Sequence, residues 1–577
     1  MVAKKALRLT AAAALAGLTL DAGAVHGAAV HHAQAAAASG VVTITDWQFP
    51  DGCGPGAASV ANQEICAFLI GENLFQRDQN LTYYPDLAES IPTLKNGGAK
   101  IVNGNLIVTY TLKPNLKWSD GAPITANDIV FNVHLTIALG STFGVDQIAK
   151  IQVVDARTAI FTYKGTYAPY IAYGTGASGN SFFYPQHYLE KKYGTTNITA
   201  LAAKFGNDTY NSPSDVWDGP YKISSYTNGQ SIVMTPNPYY NVRAGSKPRP
   251  AQIKFQAIST EEAALATALG SANAGVDKAE DFQTNDLPVL QSSKYRIQVL
   301  PELTLEHLEL NQNGPLKDVR LRQAVQYAID KTTLFHNLFP TVASNQISQF
   351  VAKSVVPNTS KFLDPSLSAS AYNPTKAKAL LKAAGYATDY NGPGKHLELR
   401  FVTTPASTRQ KDFQILSRDW AEVGIHVSAT YPSGSPSANG GLFSPYNLNG
   451  VLSQRHFDIA LFAFTESPDP QQNEVTFSPV LIPTTTRHSQ GDENYSGVAD
   501  ADEFALLQKA RSTLDTSQRL HLFYQWENLL NQRVYWVPLY TRQDITADNK
   551  TIGNFIPNGS DVGNDWNAWN WYKTGAS

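Results

Sequence analysis

Apolar residues alternate with polar ones along Ile107-Val-Thr-Tyr-Thr-Leu112, the period of a half-buried strand, and Asp120-Gly121 after it supplies a tight turn. Thr125 and Asp128 stand at the spacing of a helix N-terminal capping pair, and Val130, Val133 and Ile137 then mark one apolar helical face. Val41-Val-Thr-Ile-Thr45 reads as a strand, and so do the flanks of the Gly219-Pro220 turn, with Ile232–Tyr240 and Ile253–Ile258 following. One long helix is predicted over Asp318–Lys331, burying Leu321, Ala324, Val325, Ala328 and Ile329.

Further helices are sharply delimited. Asn373-Pro374 caps a stripe of Ala377, Leu380, Leu381 and Ala384 that Gly385 ends. Phe413, Leu416, Trp420 and Val423 form the next stripe, Gly424 stops it, and Ile425–Tyr431 reads as a strand. Helix alternating with strand predicts parallel strands joined by crossover helices. Residues 432–450, rich in Ser, Gly, Asn and Pro, are expected to be a mobile surface loop, and residues 517–531 read as helix.

At 577 residues the chain is too long for one core, so two or three packed domains are expected. Charged residues are only 16% of it, against roughly 25% in ordinary soluble domains, a balance that suits an exported protein. Residues 1–38 read as a signal peptide: Lys4, Lys5 and Arg8 precede a short apolar run that Asp21 ends. Losing those three cations and one anion moves the net charge from −3 to −5, and an acidic chain without a basic run argues against nucleic acid as partner.

The two cysteines, Cys53 and Cys66, are close in sequence in a chain read as exported, so a disulfide is expected, with two separate buried thiols as the alternative. No histidine cluster stands near them to suggest a metal. There is no HExxH signature and no GxSxG elbow, and nothing sets two carboxylates across a scissile bond, so a secreted hydrolase is disfavoured and no cofactor is expected.

Several islands, in order, carry a resemblance: Pro85-Asp-Leu-Ala-Glu-Ser-Ile91, Trp118-Ser-Asp-Gly121, Pro123–Asp128, Asp218-Gly-Pro-Tyr221, Asn237-Pro-Tyr-Tyr240, Asp318–Lys331 and Val537-Pro-Leu-Tyr540. From about residue 41 to the C-terminus the chain resembles the family 5 solute-binding proteins, the extracytoplasmic receptors of ABC importers. The resemblance implies an α/β, two-lobed periplasmic-binding-protein fold (type II, cluster C-like) with a small inserted domain. Lobe I would comprise 41–80, 212–305 and 533–577, the insert 81–211, and lobe II 306–532. Ile70–Phe75 looks like the family's first helix. Arg320, Arg322 and Asp330 are expected to hold their helix in its lobe. Phe49-Pro-Asp-Gly52 before Cys53 departs from a lipoprotein cleavage box, which leaves surface attachment open.

The family's ligand closes between the lobes. In peptide-binding relatives an aspartate three residues before an acidic-proline pair holds the peptide's α-ammonium; counting back from Asp469-Pro470, this chain has Glu466. The resemblance therefore implies Glu466, with Phe464, Thr465 and Asp469 of the same island, as ligand contacts. Trp566 and Trp569 are candidate stacking platforms, and Glu72 and Asn73 further cleft candidates. The expected ligand is an oligopeptide or dipeptide, with an oligosaccharide or other small solute as the alternative, and the expected partners are permease and ATPase subunits of an importer engaged by a monomer.

Overall fold

The computed structural model describes residues 40–574 apart from 58–65, 67–68, 79–80, 141–143, 173–182, 244–247, 260–261, 271–274, 291–293, 468, 486–492 and 559–562. The signal-peptide reading of residues 1–38 lies outside the described residues.

Strand β1 (Val41–Thr45) comes first, and two short strands, β2 (Phe75–Arg77) and β3 (Tyr83–Pro85), pair antiparallel after it. Strands β4 (Ala99–Val102), β5 (Asn105–Thr111), β6 (Ile148–Val153) and β7 (Thr158–Tyr163) form a sheet of their own in the order β4-β5-β7-β6. Next come β8 (Tyr221–Thr227), β9 (Ser231–Pro236), β10 (Gln252–Gln256), β11 (Lys278–Ala279) and the long β12 (Tyr295–Leu310). Strands β13 (Leu397–Val402), β14 (Ile425–Thr430), β15 (Ile459–Thr465) and the long β16 (Trp536–Asn549) follow. With β1 they make one mixed sheet in the order β14-β13-β15-β12-β16-β11-β1-β10-β9-β8.

The two long strands dictate the architecture. At about 3.3 Å per residue, β12 and β16 each reach about 45–50 Å. Their antiparallel pairing slips between Pro301 and Leu305 and again between Glu306 and His307, so the ladder is interrupted where the strands leave lobe I for lobe II. Beyond it β12 pairs with β15; before it β16 pairs with β11. One sheet is thereby divided into two lobes that share the crossing strands.

Lobe II packs Leu308, Leu321, Val325, Phe335, Leu381, Phe401, Trp420, Ile459 and Leu539 into one core. Strand β13 pairs in parallel with β14 and β15, and helix Ser407–Ala421 crosses over from β13 to β14. Lobe I packs Val42, Ile44, Ile223, Met234, Ile253 and Phe255 under β1 and β8–β10. Because β11 and β1 run towards lobe II, and β15 towards lobe I, strands of both lobes present their C-terminal ends to the space between them. Open α/β sheets hold ligands at that edge.

Several sequence expectations give way. Residues 70–75 are not helix: a turn and a bridge lead into β2, because Glu72 and Asn73 are committed to backbone bonds with Asp218 and Asp86. In helix Ala126–Ala138 the Thr125–Asp128 capping box forms, but the buried residues are Ile129, Phe131, Val133 and Leu135, while Ile137 is 44% exposed. Ile129 and Val133 face the β4–β7 sheet, and Phe131 and Leu135 face lobe I. This helix thus has two apolar sides, which a one-face pattern misses.

The same helix joins the inserted segment to lobe I instead of setting it apart. Leu189, Leu201, Phe205 and Tyr210, all within 81–211, belong to the lobe I core, whereas Leu74, Phe75, Val216 and Val242, outside it, pack on the β4–β7 sheet. Likewise Tyr535–Tyr540, assigned to lobe I from sequence, pack in lobe II, because β16 begins there before it crosses.

The helix predicted over 318–331 ends at Tyr327, and Asp330 caps a second helix, Lys331–Leu338, accepting from Thr333 N–H at 3.0 Å. Arg322 donates to the carbonyls of Leu316, Lys317 and Arg533 and so ties the first helix to its lobe. Residues 432–450 are irregular, but Leu442 is fully buried with Leu452, Phe457 and Phe462 in a small core of their own.

Cys53 and Cys66 are joined by a disulfide whose ends are both buried in the lobe I core. Closing this loop stabilises by about 3 kcal/mol in the chain-entropy model. Reduction, or Cys53→Ser with Cys66→Ser, should lower the midpoint of thermal unfolding by several degrees; an unchanged midpoint in the double variant would show that the crosslink adds nothing.

Candidate ligand-binding site

Glu466 follows the last residue of β15 at the lobe II rim of the interlobe space. Its N–H donates to Leu303 O of β12 at 3.1 Å, beside the break in the crossing strands. The side chain is fully buried. Oε2 accepts from Asn473 Nδ2 at 2.8 Å, while Oε1 is buried and accepts from no described residue. With a neutral amide as its partner, burial pushes this carboxyl up to about 8.

The neighbouring residues fix this corner. Asp469 caps the short turn Pro470–Asn473, accepting from Gln471 N–H at 3.0 Å, and takes a bidentate ion pair from Arg519 at 2.7 Å for each oxygen. That fork-to-fork pairing spends the Asp469 carboxylate on positioning the turn that carries Asn473. Phe464 lies 5.7 Å from the Trp536 ring, edge to face, and Thr465 Oγ1 is 3.5 Å from Thr304 Oγ1 across the ladder.

The β4–β7 unit leans over the same corner. The half-buried Tyr83 phenol is raised by desolvation, opposed by Arg77 and further shaped by Asp469 and Arg519 of lobe II. Tyr167 is raised by desolvation and by the carboxylates of Asp469 and Glu474. Leu514, just before helix Thr516–Arg533, packs against the apolar core of that unit. Lobe II and the insert are therefore in contact across the space that Glu466 adjoins.

The other candidates gather elsewhere. Glu72 is fully buried, ion-paired with Arg243 at 2.7 Å and bonded to Tyr240 Oη at 2.6 Å. Arg243 also lies 3.5 Å from Asp86 and over the Trp569 ring at 5.2 Å, which brings Glu72 and Trp569 into one cluster at the seam of lobe I and the insert. Asn73, half-buried, donates its N–H to Asp86, and its Oδ1 is buried without a described donor. Trp566 donates Nε1 to Ile556 O at 3.0 Å and belongs to neither group; Trp571 is buried in the lobe I core.

Sequence reasoning passed over Asn473, Arg519 and Arg243. Asn473 stands four residues beyond the Asp469-Pro470 landmark, a spacing that could have suggested a turn closing back on Glu466. For Arg519 and Arg243 only the tertiary fold brings cation to carboxylate.

Buried carboxyls also set the response to pH. Burial raises Glu466, Glu503 and Glu527 from the ordinary 4.5 to about 8. Between those values the folded state holds protons that the unfolded chain releases, so their contribution is full below about pH 4.5 and is lost as pH rises through about 8. Glu306, lowered to about 2 by Arg409 and Arg542 against desolvation, loses its contribution only in acid below the ordinary range. The unfolding midpoint should therefore fall from pH 5 to pH 8, and Glu503→Gln should shrink that fall by about 1 °C or more, the equivalent of about 1 kcal/mol in a chain of this length. A midpoint that rises over this window would contradict the assignment.

Comparison with known proteins agrees with this architecture. The family model for the middle part of bacterial extracellular solute-binding proteins, family 5, matches residues 82–478. The oligopeptide-binding protein OppA of Mycobacterium tuberculosis is 26% identical over 469 residues, covering 78% of this chain and 71% of that protein. A putative ABC transporter peptide-binding protein of Brucella abortus is 24% identical over 383 residues, covering 65% of this chain and 66% of its own. Among solved structures, the ABC transporter substrate-binding protein CtaP of Listeria monocytogenes superposes with a TM-score of 0.71 at 22% identity, over 93% of this chain and 99% of that one. The oligopeptide-binding protein of Thermus thermophilus, complexed with a pentapeptide, gives 0.66 at 20% identity, over 93% and 97%. These superpositions show the two-lobed fold, and the family match covers well over half of the sequence. The chain belongs to the bacterial extracellular solute-binding proteins of family 5.

Proposed function

We propose that this chain is the exported substrate-binding component of an ABC importer and that it captures short peptides between its lobes. The carrying observation is Glu466: a fully buried carboxyl at the rim between the lobes, with one oxygen unmatched and no cation beside it among the described residues. A peptide's terminal ammonium supplies the missing charge and donors, and such charge-assisted bonds are worth about 1.5–3 kcal/mol. Two relatives named as peptide-binding proteins support the same ligand class.

The hinge follows from the crossing strands. A ligand that touches both lobes favours the closed arrangement by the difference of its affinities for the two states. Permease and ATPase subunits would then read the closed form, with the protein acting as a monomer outside the cytoplasm. No helix among the described residues is long and apolar enough to cross a membrane.

Thermal-shift screening of the mature chain against pools of short peptides and of oligosaccharides checks the ligand class. Peptides should raise the midpoint by several degrees at saturation, and a rise with saccharides alone would overturn the peptide assignment. Glu466→Gln keeps the shape but cannot ionise beside a bound ammonium, so binding of free-amine peptides should weaken about tenfold or more by calorimetry. Unchanged affinity would take Glu466 out of the site.

A further inference from the structure

Asn473 is as deeply buried as Glu466, at 0% exposure, and ends the turn that the Asp469–Arg519 pair anchors. Its amide can face a carboxylate oxygen only through its NH2 end, so the 2.8 Å bond from Nδ2 to Glu466 Oε2 fixes which way the group points. The other end, Oδ1, is buried and accepts nothing from any described residue, and Glu466 Oε1 is in the same condition. In the ionised form that a bound ammonium would favour, two hydrogen-bonded side chains thus each carry a buried acceptor with no described donor.

A single carboxylate would hold any cation by charge alone. Two unmatched acceptors on adjoining side chains ask for more: a group that is both cationic and able to donate at least two N–H bonds. Buried polar sites discriminate strongly against analogues that leave their groups unpaired. Asn473 also has no charge to contribute, so any selectivity it confers must come through hydrogen bonding.

We propose that Asn473 is a specificity-determining residue of this site, its Oδ1 acting with Glu466 Oε1 to accept two N–H bonds from a primary ammonium and so to reject amines that are alkylated. The inference rests on the reading that the site takes an amine at Glu466. A purely positioning role, in which Asn473 only holds Glu466, predicts that loss of Asn473 weakens all cationic ligands alike.

The test compares three forms of one short, lysine-free peptide pool: unmodified, N,N-dimethylated at the terminus, and N-acetylated. Dimethylation keeps the positive charge and leaves one N–H; acetylation removes the charge. The unmodified protein should bind the free-amine pool about tenfold more tightly than the dimethylated pool, and the acetylated pool more weakly still. Asn473→Leu should lower affinity for the free-amine pool towards that for the dimethylated pool, so that the preference collapses.

Equal weakening of both cationic pools by Asn473→Leu overturns the proposal in favour of positioning. The unmodified protein is a test in itself should that variant not fold: equal affinity for the free-amine and dimethylated pools, with the acetylated pool still rejected, overturns the role of Asn473 and leaves the amine reading standing. Acetylated peptides binding as well as free ones overturn both.

Discussion

Everything in this molecule hangs on β12 and β16, two antiparallel strands long enough to belong to both lobes. Inside each lobe they are central members of the sheet, flanked by β15 on one side and β11 on the other, and their side chains enter the cores there. Between Pro301 and Leu305 the ladder slips. A proline in a strand removes one donor, and a register shift removes the regular pairing, so this is where the sheet bends at least cost. The lobes are rigid because they are packed; the joint is soft because it is only two strands wide.

The same topology explains where chemistry collects. Strands β1 and β11 of one lobe and β13 and β15 of the other end at the interlobe space, so the residues just beyond them, Glu466 among them, face it without any local motif to announce it. Burying a carboxyl there is costly. The rest of the corner is built to sustain it: Asp469 and Arg519 neutralise each other and fix the turn, Asn473 covers one oxygen, and the other oxygen has no described donor.

How much of this was legible in the sequence follows from the range of the interactions. Strand alternation in β5, the Thr125–Asp128 cap, the Asn373 cap with its Gly385 stop and the face of Leu321, Ala324 and Val325 are local, and the structure has them. Helix Ala126–Ala138 misled because it is buried on two sides, and the Ile70–Phe75 stretch because backbone bonds to distant aspartates hold it extended. Of the candidate site, Glu466 could be picked by its position in a recognised island. Its partner Asn473, the Asp469–Arg519 pair and the Glu72–Arg243–Trp569 cluster join residues from 7 to 171 or more positions apart in the chain and emerge only from the fold.

The central claim is that two packed lobes close on a peptide by bending at the crossing strands. Small-angle X-ray scattering of the mature chain, titrated with a bound peptide, reads that motion directly. The account predicts a smaller radius of gyration on saturation, with each lobe's own dimensions unchanged. A radius that stays the same while calorimetry shows the peptide bound would contradict it.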